Sequence, residues 1–264
     1  MFAGFNLTIE DEDAFREYYD YGKSILSSQK RNIEENLEEY ICGRDTLDGT
    51  MMEAQWFPSV DADVFLSHSH KDEHMVVALA GWLSKECNVR AFVDSYIWGY
   101  SNKLLKKLDN RYCVEERVGS HTSYSYEKRN SSTSHVHMML STALGKMIDK
   151  CECLFFVNTP NSIEIAETME MEATLSPWIY SELALSQIVR HKKLSEYRTG
   201  EAYFAKDAVN ESASLQIKYD ISLSHLHKLS TDNLLRWSKS VKYYPSYPLD
   251  KLYEQLRILG NGEL

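Results

Sequence analysis

A glutamate stands one helical turn after a tryptophan in Trp178-Ile179-Tyr180-Ser181-Glu182-Leu183, a segment opened by Ser176-Pro177. The four-residue spacing puts the Trp178 indole and the Glu182 carboxylate on one helix face. An ionised carboxylate placed there can stabilise a developing positive charge. Far upstream, Asp63-Val64-Phe65-Leu66-Ser67-His68-Ser69-His70-Lys71-Asp72 is a short apolar run that breaks into hydroxyls, imidazoles and an ammonium. Ser67 and His68 stand where a strand would end and so can reach a bound ligand. His70 and Lys71 offer positive charge. Asp94 closes a second apolar run, Val89 to Val93, ahead of the aromatic segment Ser95-Tyr96-Ile97-Trp98-Gly99-Tyr100.

Each of these has a plainer reading. A single helix glutamate is by default a surface residue, and Trp178 can simply anchor its helix to a core. Polar residues after a buried strand are often turn and cap residues, with Ser69 or Asp72 opening the next helix. Trp98 and Tyr100 could stack on a base, but exposed aromatics also mark protein contacts. The histidine clusters His68/His70/His74, His135/His137 and His225/His227 lack the helix-matched third ligand that a metal site needs, and no metal is expected. The chain has no GxGxxG, GxxxxGK[ST] or GxSxG, so the phosphate cradle or nucleophile elbow of those enzyme classes is missing.

Strand and helix alternation must position these groups. Val64-Phe65-Leu66 is continuously apolar, as for a strand covered on both faces of a parallel sheet. A helix is expected from Lys71 to Cys87, on the stripe Met75, Val76, Leu79, Ala80, Trp82 and Leu83, then a strand over Val89 to Val93. Such a unit places a ligand site at the carboxyl edge of the strands. A helix from His135 to Lys150 leads into a strand at Cys153 to Val157. Ser176 as cap and Pro177 at the first helical position open the helix that carries Glu182. Leu215 to Ile221 reads as a further strand and Leu249 to Leu259 as a closing helix. Residues 114–135 and 158–175 read as inserted loops.

Residues 1–58 read as a helical N-terminal extension ahead of a domain over 59–264. Thr8-Ile9-Glu10-Asp11 has the form of a capping start. Phe15, Tyr18, Tyr19, Gly22 and Ile25 recur at helical spacing, and Ile33, Leu37, Tyr40 and Ile41 continue it.

Composition narrows the function. The 264 residues are 43% hydrophobic and 26% charged, with 17 tyrosines, as in an ordinary globular chain. A formal charge of −10 opposes non-specific binding of nucleic acid, which needs a basic footprint. The N-terminal residues lack the basic and apolar regions of a signal peptide, and no apolar run reaches the roughly 18 residues of a membrane span. Five cysteines, of which only Cys151 and Cys153 lie close together, read as free thiols in a reducing cytosol. A cytoplasmic location is therefore expected.

Over roughly residues 61–192 the order of these pieces resembles a TIR domain. The resemblance lies in the first strand with its polar loop, the acidic end of the second strand at Asp94 with its variable loop, and the Trp178-x-x-x-Glu182 helix after the third strand. It implies an α/β fold with a central parallel sheet of about five strands in flavodoxin-like order, flanked by helices. It also implies an NAD+ glycohydrolase or ADP-ribosyl cyclase, with NAD+ as substrate and no separate cofactor. Glu182 would then be catalytic, and Ser67, His68, Lys71, Asp94, Trp98 and Trp178 would line the substrate. One glutamate suffices, because nicotinamide leaves a cationic nucleotide as a neutral molecule. TIR proteins of this kind serve anti-phage systems such as Thoeris, so the resemblance implies self-association and a separate effector that senses an ADP-ribose-derived product. Many TIR domains are instead non-catalytic adaptors, which is the competing class.

Overall fold

The computed structural model describes residues 1–11, 13–29, 37–43, 46–98, 101–118, 121–165, 172–174, 176–197, 219–243 and 247–259. It is an α/β fold built on a parallel five-stranded sheet flanked by helices, with a helical N-terminal part. The principal elements in chain order are β1 (Ala3–Thr8), α1 (Tyr19–Gln29), β2 (Val64–Ser67), α2 (Glu73–Cys87), β3 (Ala91–Phe92), α3 (Tyr126–Lys150), β4 (Cys153–Asn158), α4 (Pro177–Ile188), β5 (His227–Ser230), α5 (Thr231–Val241) and α6 (Pro248–Leu256). Across the sheet the strands run β5-β1-β4-β2-β3.

Counted from β2, the neighbours β3-β2-β4 follow the flavodoxin-like order. The position beyond β4 is filled from the N-terminus. β1 lies between β4 and β5, with Ala3 opposite Cys153 and Phe5 opposite both Phe155 and His227. The expected N-terminal helix is present as α1, but the segment before it is a strand inside the main sheet. Gly4 and Asn6 disguise that strand, since both are poor β-formers. In place, Gly4 sits where a Cβ would come within 2.6 Å of Leu226 Cδ2. Asn6 accepts from the Asn158 amide at 3.1 Å on the neighbouring strand. Phe5 and Leu7 are fully buried.

The apolar runs became central strands for the reason their composition predicts. Val64, Phe65 and Leu66 are completely buried, and so are Leu154 to Val157. Burying each such side chain contributes about 1.5–3 kcal/mol. α1 reaches the body through a close crossing of two glycines. A Cβ on Gly81 would lie 2.3 Å from the Tyr18 carbonyl and 2.7 Å from the Gly22 nitrogen. Phe15 then packs on Trp82 at 5.1 Å, and Trp82 on Trp237 at 6.4 Å, so α1, α2 and α5 close one group of helices.

Three stretches depart from the sequence expectation. Residues 114–135, read as a loop, form an antiparallel pair, Val114–Val118 with His121–Tyr124, and the first ten residues of α3. Ser125 caps that helix by accepting from Lys128 N at 3.4 Å. No periodicity marked either element because both are largely exposed there, and α3 acquires its apolar stripe only from Val136 onward. The expected strand from Leu215 lies outside the described residues up to 218. Tyr219–Asp220 pairs antiparallel with Glu172–Thr174, in a small sheet apart from the main one. The fifth main strand is instead β5, a short and mostly exposed edge strand. Gly99, Tyr100 and Ile33 also lie outside the described residues. Among the described residues, no helix is long and apolar enough to cross a membrane.

Candidate functional site

Ser67 is the last residue of β2, Asp94 follows β3 by two residues, and α4 carries Glu182 across the same edge of the sheet. In parallel strands all the carboxyl ends share one edge. β2 connects to β3 on one side, and the chain then crosses to β4 on the other. The crevice at such a switch point is where α/β sheets bind ligands.

α4 begins as its residues require. The Ser176 hydroxyl accepts from Ile179 N at 3.3 Å, and Pro177 occupies a first-turn position where its missing N–H costs nothing. The buried face is then Ile179, Glu182, Leu183 and Ser186, at helical spacing. Glu182 is thus carried into the interior by an apolar face and is only 2% exposed.

The Ser67 hydroxyl donates to Glu182 Oε2 at 2.5 Å. Burial pushes the Glu182 carboxyl well above the ordinary carboxylate range, and the nearby negative charge of Asp94 raises it further. The Ser67 hydrogen bond acts in the opposite direction. Desolvation is the largest of these influences.

His68, 7% exposed, ties the end of β2 to the segment after β3. Its Nδ1 lies 3.0 Å from the Leu66 carbonyl, which can only accept, so Nδ1 carries the hydrogen. Nε2 hydrogen-bonds with the Ser95 hydroxyl at 2.9 Å. Asp94 Oδ1 stands 3.8 Å from His68 Nδ1, so imidazole and carboxylate are neighbours without a direct hydrogen bond.

The residues singled out from the sequence therefore separate into three groups. Ser67, His68, Asp94 and Glu182 converge at the strand ends. Trp178 is half-buried one turn before Glu182 and packs against the core, while Lys71 is exposed on the turn His70–Asp72 at the rim. Trp98 belongs to neither place. It is 3% exposed, donates from Nε1 to the Pro58 carbonyl at 3.2 Å and meets Phe92 edge-on at 4.7 Å. The short helix Asp94–Ile97 turns its indole inward, so Trp98 is a core anchor rather than a surface for a base or a second protomer. Ile97 is buried as well, and the Tyr96 hydroxyl bonds Ser27 at 2.9 Å.

Sequence reasoning passed over two supporting groups. Ser95 was legible only as the residue after Asp94, yet it is the partner of His68. Asp72, read as a helix cap, makes no capping contact, and Ser69 caps the turn instead. Asp72 accepts from Thr159 Oγ1 and Asn161 Nδ2, each at 2.6 Å, and so locks the turn after β2 to the turn after β4.

Two cavities lie away from this cluster. One of about 510 Å³ is bounded by the start of α3, and one of about 290 Å³ has Trp98 in its wall. Glu182, enclosed by its surroundings, lines neither of them. No three His, Cys, Asp or Glu side chains converge in a metal-binding group among the described residues. The five cysteines are unpaired, and burial pushes the Cys151 and Cys153 thiols far up. Comparison of the chain with protein-family models, with curated proteins and with solved structures finds no match.

Proposed function

We propose that the chain is a TIR-type NAD+ glycohydrolase or ADP-ribosyl cyclase with Glu182 as its catalytic group. The observation that carries this reading is the buried Glu182–Ser67 pair at the carboxyl edge of β2, beside Asp94. A carboxyl held out of water beside a hydroxyl donor suits a substrate that brings its own positive charge. The nicotinamide ring of NAD+ is cationic, and its arrival would lower the carboxyl pKa that burial and Asp94 have raised.

The C1′–N bond then breaks, its electron pair leaves with neutral nicotinamide, and the ribose becomes an oxocarbenium ion. Ionised Glu182 stabilises that ion until water or an internal nucleophile captures it. Water gives linear ADP-ribose, and an internal nucleophile gives a cyclic product. His68 and Ser95 hold the strand ends in register, Lys71 at the rim attracts the diphosphate, and Trp178 walls the ribose side. Self-association and an effector that senses the product complete the proposal for an anti-phage signalling role.

Incubation with NAD+ followed by chromatography and mass spectrometry tests the reading. Nicotinamide release that disappears in a folded Glu182→Gln variant is the expected result, and release that is unchanged in Glu182→Ala removes the residue from the mechanism. A second reading, a non-catalytic adaptor, is favoured by the enclosure of Glu182. It predicts no turnover at any protein concentration.

A further inference from the structure

We propose that the cleft between Thr46–Leu47, the turn Asp109–Cys113 and the N-terminal half of α3 is a binding site for a small amphipathic anion, a flat apolar body bearing one acidic group. Its volume, about 510 Å³, lies within the roughly 300–1,000 Å³ typical of small-molecule sites. Leu47, Met52, Leu108 and Met139 supply an apolar floor. One helix face supplies the polar wall, with Lys128, Ser131 and His135 recurring at helical spacing along α3.

The charge of that wall is positive and available. Lys128 forms no ion pair with a described residue, whereas its neighbour Arg129 is engaged by Asp109 at 2.8 Å. An apolar floor with an exposed lysine in its lining is complementary to an apolar acid. A neutral ligand would leave Lys128 without a role.

The frame of the cleft is built in advance. Asp109 is 4% exposed and accepts from Arg129 Nε at 2.8 Å and from Ser132 Oγ at 2.6 Å, which fastens the turn to α3 through charge-assisted bonds. That turn, Asp109–Cys113, is π-helical. Single π turns are rare and recur at functional sites. A cleft whose walls are fixed beforehand loses little on ordering when a ligand enters. Its lining includes none of Ser67, His68, Asp94 or Glu182, so the proposal stands independently of the NAD+ reading.

The test uses two probes of nearly one shape on the full chain. They are 1-anilinonaphthalene-8-sulfonate, which is anionic, and N-phenyl-1-naphthylamine, which lacks the sulfonate. Calorimetric titration, under conditions where the protein melts cooperatively, should give one saturable site for the sulfonate. Lys128→Glu should weaken the sulfonate about fivefold or more while leaving the neutral probe within about twofold. Ser131→Trp, at an exposed position on the mouth, should remove both probes without changing the melting temperature. Non-saturable binding would overturn the proposal, as would equal loss of both probes in Lys128→Glu, or binding that survives Ser131→Trp.

Discussion

Ser67 Oγ donates to Glu182 Oε2 across 2.5 Å, joining two residues 115 positions apart in the chain. Neither residue type is unusual, but the contact bears on the protonation of the candidate catalytic group. It opposes burial and Asp94, which both push that group toward its neutral form. The balance of these three influences makes the site testable by pH.

Ser67→Ala and Asp94→Asn should move the pH profile in opposite directions. Removing the Ser67 hydrogen bond raises the Glu182 pKa, so the acid limb of kcat/KM for nicotinamide release shifts to higher pH. Removing the Asp94 charge lowers it, so the limb shifts to lower pH. Shifts of one sign in both variants would show that another group controls the limb.

Stability should report the same carboxyl. Its folded value is raised, so between the ordinary carboxylate range and that value the native state binds more protons than the unfolded state. Stability from this source is fully present at low pH and is lost as pH rises through the folded value. Glu182→Gln cannot ionise. Its melting temperature should therefore gain on that of the natural protein as pH increases, and thermal melts across the range measure the divergence.

Trp98→Ala should destabilise the monomer by about 3–5 kcal/mol, the cost of emptying a buried aromatic site. Its indole hydrogen bond to Pro58 is lost as well. Chemical denaturation measures the loss. A variant of unchanged stability that only self-associates less would instead return Trp98 to the surface.

Gly81→Ala should cost about 1–3 kcal/mol, because the added methyl meets the Tyr18 carbonyl and the Gly22 backbone. Hydrogen exchange should show the loss concentrated in α1 and α2. Uniform protection with no change in midpoint would mean that α1 is not seated through this crossing.

Lys71→Ala should raise KM for NAD+ about two- to fivefold with kcat nearly unchanged, as for a contact made equally in ground and transition states. His68→Ala should lower kcat too, because it frees Ser95 and the end of β3. Steady-state kinetics on both variants separate rim from frame.

What the sequence determined by itself is what local chemistry dictates. The runs at Val64 to Leu66 and Cys153 to Val157 have no polar side to turn to water, so they had to be interior strands. Ser176-Pro177 had to open a helix, and Trp178 and Glu182 had to share one of its faces. From these alone the α/β class and the loop after β2 could be read. Tertiary structure decided the rest, because the deciding contacts lie far apart in the chain. Ala3 to Thr8 carries a glycine and an asparagine that speak for a turn. It becomes a strand only because β4 and β5 offer a slot of complementary hydrogen bonds. Trp98 could be an exposed anchor or a core residue on composition alone, and the direction of the short helix before it turned it inward. The protonation of Glu182 belongs to no segment. It arises where three chain regions meet, at Ser67, Asp94 and the inner face of α4.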